Sequence, residues 1–154
     1  MFADALAALE NLPAIVALRE STLAYPLVNT LHIVGIALLF GAIVPLDLRL
    51  AGWRRDASAV DALSWLLLPV AIFGFLLAAC AGLLLFATDA TAYAASPLFQ
   101  AKIVLIALAL ANALALRWVD WRRPESSKRL ALAGTASVVL WLGAIVLGRL
   151  IGYF

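Results

Sequence analysis

Four long apolar runs constrain this chain more than any other feature. They cover roughly residues 26–50, 63–87, 98–119 and 130–152. A helix crosses a bilayer with about 20 mainly apolar residues, so each run is long enough to span. The composition agrees. Of 154 residues 66% are hydrophobic and 13% charged, against about half and a quarter in a soluble domain. The expected fold class is all-α, a single integral membrane domain over 1–154. The connections between runs are short, so neighbouring spans should run antiparallel as an up-down four-helix bundle.

The first 24 residues are different. Asp4, Glu10 and Pro13 interrupt "MFADALAALENLPAIVALRE", which has neither the basic start nor the long apolar run of a signal peptide. Phe2, Leu6, Leu9 and Leu12 recur at helical spacing, and Ile15, Val16 and Leu18 follow Pro13. The expectation is a short interfacial helical segment, part of the mature protein, lying on the membrane rather than spanning it.

Charge placement predicts orientation. The first connection carries Arg49, Arg54 and Arg55, and the third carries Arg117, Arg122, Arg123, Lys128 and Arg129. The middle connection, "TDATAYAASP", has no Lys or Arg. The first and third connections are therefore expected in the cytoplasm. Both termini would then be periplasmic, in a bacterial inner membrane. Trp53, Trp118 and Trp121 group on one side and Tyr25, Tyr93 and Tyr153 on the other, as aromatic belts do.

Small residues recur every fourth position at Gly74, Ala78 and Gly82, at Ala107, Ala111 and Ala115, and at Ala144, Gly148 and Gly152. Such stripes let membrane helices approach closely, either inside the bundle or as a homodimer seam. Pro45 and Pro69 each remove a hydrogen bond within their span and are expected to kink it. Cys80, the one cysteine, excludes an intrachain disulfide and is expected as a small buried apolar residue.

The polar residues within the spans are the functional candidates. His32 is the only histidine. It lies six residues past Pro26, about 9 Å into its helix at 1.5 Å per residue. Lys102, Arg149 and Asp89 fall at a similar depth on other segments, and an antiparallel bundle allows them to meet. Imidazole is the commonest metal ligand and a usual axial haem ligand, but it also simply bridges helices. Gly35, one turn on, leaves room for a flat cofactor or a close helix. Arg149 either snorkels, pairs with Asp89 or the C-terminal carboxylate, or binds an anion such as a haem propionate. Asp47 and Arg49 lie at the far end of span one, Asp47 about 22 Å from His32. A structural ion pair or loop anchor is expected there. Asn112, mid-span, is expected to pack or to bond across helices.

"RESTLAYPLVNTLHIVGIALLFGAIVPLDLRLAG", "AGLLLF", "YAASPLFQAKIVLIALALANAL" and "WLGAIVLGRLIGY" together resemble a functionally uncharacterised family of small four-span bacterial membrane proteins. Its pattern is an early histidine in span one, a D-L-R-L end to that span, P-x-F-x-x-K opening span three and G-R-x-x-x-Y closing span four. The resemblance covers about residues 19–153. More distantly the chain resembles the membrane domain of the copper-resistance D (CopD) group. The family pattern falls on His32, Asp47, Arg49, Lys102, Arg149 and Tyr153. Ser96 stands where the family implies asparagine before the proline.

The leading expectation is a haem- or metal-binding subunit, with His32, Lys102, Arg149 and Tyr153 around a cofactor near the periplasmic face. The cofactor would be haem b, alternatively copper or none, serving electron transfer or metal handling. One histidine cannot supply a bis-histidine haem, so the haem would be five-coordinate, shared between protomers or completed by a partner. A closed copper site is not expected, because Met1 and Cys80 are the only sulfur side chains. The alternatives are a cofactor-free anchoring subunit of a membrane complex and, last, a small oligomeric transporter or channel. No hydrolase, nucleotide-binding or P-loop motif is present, so an enzyme is not the expectation. Partners are the lipid bilayer and a second copy or partner subunit. Nucleic acid has no support, since the basic residues flank spans.

Overall fold

The computed structural model describes residues 2–53, 57–116, 118–119 and 127–153. Among them are seven helices and no strand: α1 (Phe2–Glu10), α2 (Pro13–Glu20), α3 (Ala24–Leu50), α4 (Ala57–Ala87), α5 (Ala90–Ala95), α6 (Pro97–Leu116) and α7 (Ser127–Leu150). Helices α3, α4, α6 and α7 carry apolar stretches long enough to cross a membrane. The protein is thus an all-α four-helix bundle of the multi-pass membrane type, with a short helical N-terminal segment. Leu66, Ile72, Phe73, Leu76 and Leu83 project from α4. In water that surface would be costly, and in a bilayer it contacts lipid.

Two of the long helices, α3 and α6, begin at a local signal. Ser21 Oγ accepts the Ala24 N–H at 2.9 Å, opening α3. Ser96 Oγ accepts the Phe99 N–H at 3.4 Å, with Pro97 in the first helical position of α6. Serine caps as well as asparagine, and proline there sacrifices no helical bond. Helix α6 ends at Leu116, three residues short of the expected boundary. The Trp118 and Val119 amides turn back to Ala115 and Leu116 in a tightened last turn. Arg54, Arg55, Arg117, Trp121, Arg122 and Arg123 lie outside the described residues. Trp53 and Trp118 are exposed at the same end as the α3–α4 and α6–α7 connections. That end is called the connection end below, and the other, with both termini, the terminal end.

Contacts show every neighbouring pair to be antiparallel. His32, early in α3, meets Ala78 and Gly82, late in α4. Asp47, late in α3, meets Gly134, early in α7. Lys102, early in α6, crosses Gly148, late in α7. Asn112 Nδ2 donates to the Ala133 carbonyl at 3.0 Å and ties α6 to α7. Helix α3 is central, packing along α4 on one side and α7 on the other, while α6 packs along α7. Leu39, Ala42, Ala71, Ala109 and Trp141 form the core. There Phe75 of α4 meets Trp141 of α7 edge-on, with centroids 6.2 Å apart.

Helices α3 and α4 approach closely at two glycines. A Cβ on Gly35 would stand 2.5 Å from the Ala78 nitrogen and 2.8 Å from the Gly74 oxygen. A Cβ on Gly74 would stand 2.5 Å from the Leu39 nitrogen and 2.8 Å from the Gly35 oxygen. The two backbones therefore touch, as small residues permit in membranes. The stripe Gly74–Ala78–Gly82 is consumed inside the chain. The space expected at Gly35 for a flat cofactor is filled by α4. The stripe Ala107, Ala111 and Ala115, by contrast, is exposed throughout. Cys80 is also exposed, contrary to expectation. It lies two residues from both Ala78 and Gly82, so the helical period turns it away from α3.

Gly35→Ala should destabilise the bundle by about 1–3 kcal/mol, because backbone rather than a yielding side chain meets the new methyl. Gly41, on the same helix, has open space around its Cβ position. Gly41→Ala should leave stability unchanged or slightly raised. Unfolding in mixed micelles titrated with a denaturing detergent measures both. Equal stability of the two variants would contradict the seam.

Candidate functional site

The terminal end holds the polar groups. His32 occupies the α3 face that meets α4, where its ring lies across Gly82. A Cβ at that position would be 3.0 Å from His32 Cε1 and 3.2 Å from Nδ1. Gly82 thus makes the space the imidazole fills. His32 Nδ1 lies 2.7 Å from the Ala78 carbonyl oxygen. A carbonyl only accepts, so Nδ1 carries a proton and donates it. In the neutral ring the lone pair is then on Nε2, which has no hydrogen-bond partner among the described residues. Donation from one ring nitrogen to a backbone carbonyl is how metal-ligating histidines are oriented.

Lys102 is half-buried, its stem over Gly148 with Nζ 3.0 Å from the Cβ position there. Its positive charge acts on His32 through space. Arg149 is exposed, donates to the Tyr153 hydroxyl at 2.7 Å and sits 5.0 Å from that ring's centroid. The helical i, i+4 spacing brings these two together. Asp89 belongs to a separate cleft. Among the described residues no cluster of three or more His, Cys, Asp or Glu side chains is present. The one histidine therefore offers a single ring nitrogen, and the charge of Lys102 acts on it from another helix.

That separate cleft lies at the corner where α2, α3, α4 and α5 meet. It has a volume of about 440 Å³ and is lined by Arg19, Tyr25, Thr88, Asp89 and Tyr93. Helix α5, read from the sequence only as a polar break, builds its wall. Two devices hold α5. Phe86, Tyr93 and Phe99 form a ring cluster with centroids 5.2–6.3 Å apart. Glu10, ending α1, accepts the Thr91 N–H at 2.5 Å. Asp89 occupies the N-cap position of α5 but makes no side-chain capping bond. Glu10 does that work from a distance of 81 residues. Arg19 Nη1 donates to the Thr88 carbonyl at 3.3 Å and fastens α2 to the same corner. Burial, helped by Tyr25 and Asp89, pushes the Tyr93 phenol above its ordinary range. An alanine-rich stretch, "ATAYAA", ahead of a serine–proline cap was the available signal for α5. The Glu10 contact has no local signal at all.

The connection end holds a second polar knot. Asp47 is only 5% exposed. Its carboxyl bonds the Ser137 hydroxyl of α7, and its backbone oxygen lies 2.5 Å from the Cβ position of Gly134. Asp47 therefore joins α3 to α7. Asp47 Oδ2 and Trp141 Nε1 are both buried without a partner among the described residues. Ser137 and Trp141 went unnoticed in the sequence, although a tryptophan in mid-span, away from the belts, was a usable signal.

Two outcomes follow from this geometry. A chain with one histidine gives one imidazole nitrogen spectrum. Labelled protein should show Nδ1 protonated and Nε2 bare, and Gly82→Ala should shift both resonances. An Nε2–H tautomer would contradict the Ala78 bond. The second concerns Glu10, whose carboxyl the Thr91 N–H and hydroxyl hold below the ordinary glutamate range. A depressed folded value means the contact stabilises α1 docking above the ordinary value and is lost as pH falls through the lowered one. Spin labels on α1 and α5 should hold their separation through pH of about 4.3 and part only below it. In Glu10→Gln the separation should not depend on pH in that window.

The chain matches no family model, no curated protein and no solved structure.

Proposed function

We propose that this membrane protein is a haem- or metal-binding subunit in which His32 Nε2 is the chain's ligating atom. The supporting observation is the Nδ1–H bond to Ala78, which leaves the ring's lone pair on Nε2. Lys102 is the neighbouring cation for an anionic group such as a propionate. Arg149 and Tyr153 form an outer pair at the same end. Haem b fits a single protein nitrogen if it is five-coordinate or completed by a second chain. Copper would need ligands from elsewhere, since no cluster of ligands is present among the described residues. A bound haem or copper would supply one-electron chemistry, and the chain's own part is to hold and orient it. The orientation that goes with this reading places both termini in the periplasm of a bacterial inner membrane. Arg49, Lys128 and Arg129, at the connection end, support it by the positive-inside rule. A C-terminal alkaline phosphatase fusion, active only outside the cytoplasm, checks it.

Protein purified from its native membrane should show a Soret band, or one metal equivalent by elemental analysis, and His32→Ala should lose it while remaining folded. Colourless, metal-free wild-type protein would overturn the proposal. A cofactor-free anchoring role has one observation in its favour, the exposed Ala107–Ala111–Ala115 stripe on α6, which suits close approach of another helix. A stoichiometric second protein in the same preparation, lost in Ala111→Leu, would favour that role.

A further inference from the structure

We propose that the corner cleft binds a zwitterionic headgroup bearing a phosphate and a primary ammonium, the phosphoethanolamine head of a membrane lipid. The cleft holds a cation and an anion that are not spent on each other. Arg19 and Asp89 both line it and make no ion pair together among the described residues. Arg19 commits one N–H to Thr88, leaving four of its five donors. Its neighbour Glu10 accepts the Thr91 N–H and also acts on Arg19 electrostatically. Asp89 is unspent for a specific reason. It stands at the N-cap of α5, but Glu10 has taken the amide that it would have bonded.

Arg19 therefore presents a guanidinium to phosphate oxygens, and Asp89 presents a carboxylate to an ammonium. Tyr25 and Tyr93 add two ring faces that suit a cation and two hydroxyls that suit a phosphate. The volume of about 440 Å³ is many times a water's share of about 30 Å³.

Position selects a lipid as the source. The cleft lies where α3 begins its apolar stretch at Ala24 and α4 ends its own at Ala87, the level at which headgroups sit. Leu84, one turn below Thr88 on the same face of α4, is 43% exposed and meets the acyl chains. A purely anionic headgroup meets Asp89 as a like charge. A quaternary ammonium cannot donate the hydrogen bond that the carboxylate accepts. The order of preference is phosphatidylethanolamine first, then phosphatidylcholine and phosphatidylglycerol.

The test is native mass spectrometry of the full chain in mild detergent, titrated with these three lipids on identical acyl chains and with free phosphoethanolamine. The expected result is roughly tenfold tighter binding of phosphatidylethanolamine than of the other two, the worth of one charge-assisted hydrogen bond. Asp89→Asn should erase its advantage over phosphatidylcholine. Arg19→Gln should weaken both zwitterionic lipids. Arg129→Gln, at the opposite end, should change nothing, and circular dichroism should show each variant folded. Equal binding of all three lipids, or indifference to both cleft substitutions, overturns the proposal. Free phosphoethanolamine binding as tightly as the lipid would overturn the lipid as the source.

Discussion

The direct contact of the α3 and α4 backbones at Gly35 and Gly74 sets the geometry of the terminal end. With no Cβ on either side, the helices lie close enough for His32 to reach a carbonyl of α4. A seam one methyl wider would leave Nδ1 without that partner. The imidazole's bond to α4 thus depends on two glycines that face each other across the seam. In lipid, where apolar burial gives no net drive between helices, such close packing is what associates them. Helix α3 carries this contact on one face and the Asp47 knot to α7 on another, so its position controls both ends of the bundle.

Two polar centres occupy opposite ends of α3 and differ in kind. Asp47 is closed off, sharing its proton-bonding capacity with Ser137 and facing the core near Trp141. His32 is half-open, with one nitrogen fixed to α4 and the other without a hydrogen-bond partner among the described residues. An enclosed carboxyl bonded to a hydroxyl on the next helix pins two helices. A half-open base with one unbonded ring nitrogen is suited to a ligand. This contrast separates a structural polar residue from a candidate functional one better than their presence in apolar segments does.

The long helices were legible in the sequence because hydropathy over some 20 residues is a collective signal. The cap at Ser96–Pro97 was seen in the sequence only as a serine in place of asparagine; its bond to the Phe99 amide comes from the structure. The stripe at Gly74, Ala78 and Gly82 was legible as a close-packing face, but not which helix would use it. Which neighbours His32 and Lys102 face depends on the rotation of α3 and α6 about their axes. A nearly uniform apolar surface, hydrophobic all round, does not encode that rotation. The contact of Arg149 with Tyr153 is local, one helical turn apart, and is readable from the i, i+4 spacing. Helix α5 and the corner cleft were hidden because their supports come from α1 and α2.

The bond from Glu10 to Thr91 joins residues 81 positions apart, and this imposes an order on assembly. Helices α1 and α2 are made before the elements they hold. Two membrane segments must follow, and then the start of α5, before Glu10 meets its amide. The corner can therefore close only after most of the bundle has been synthesised.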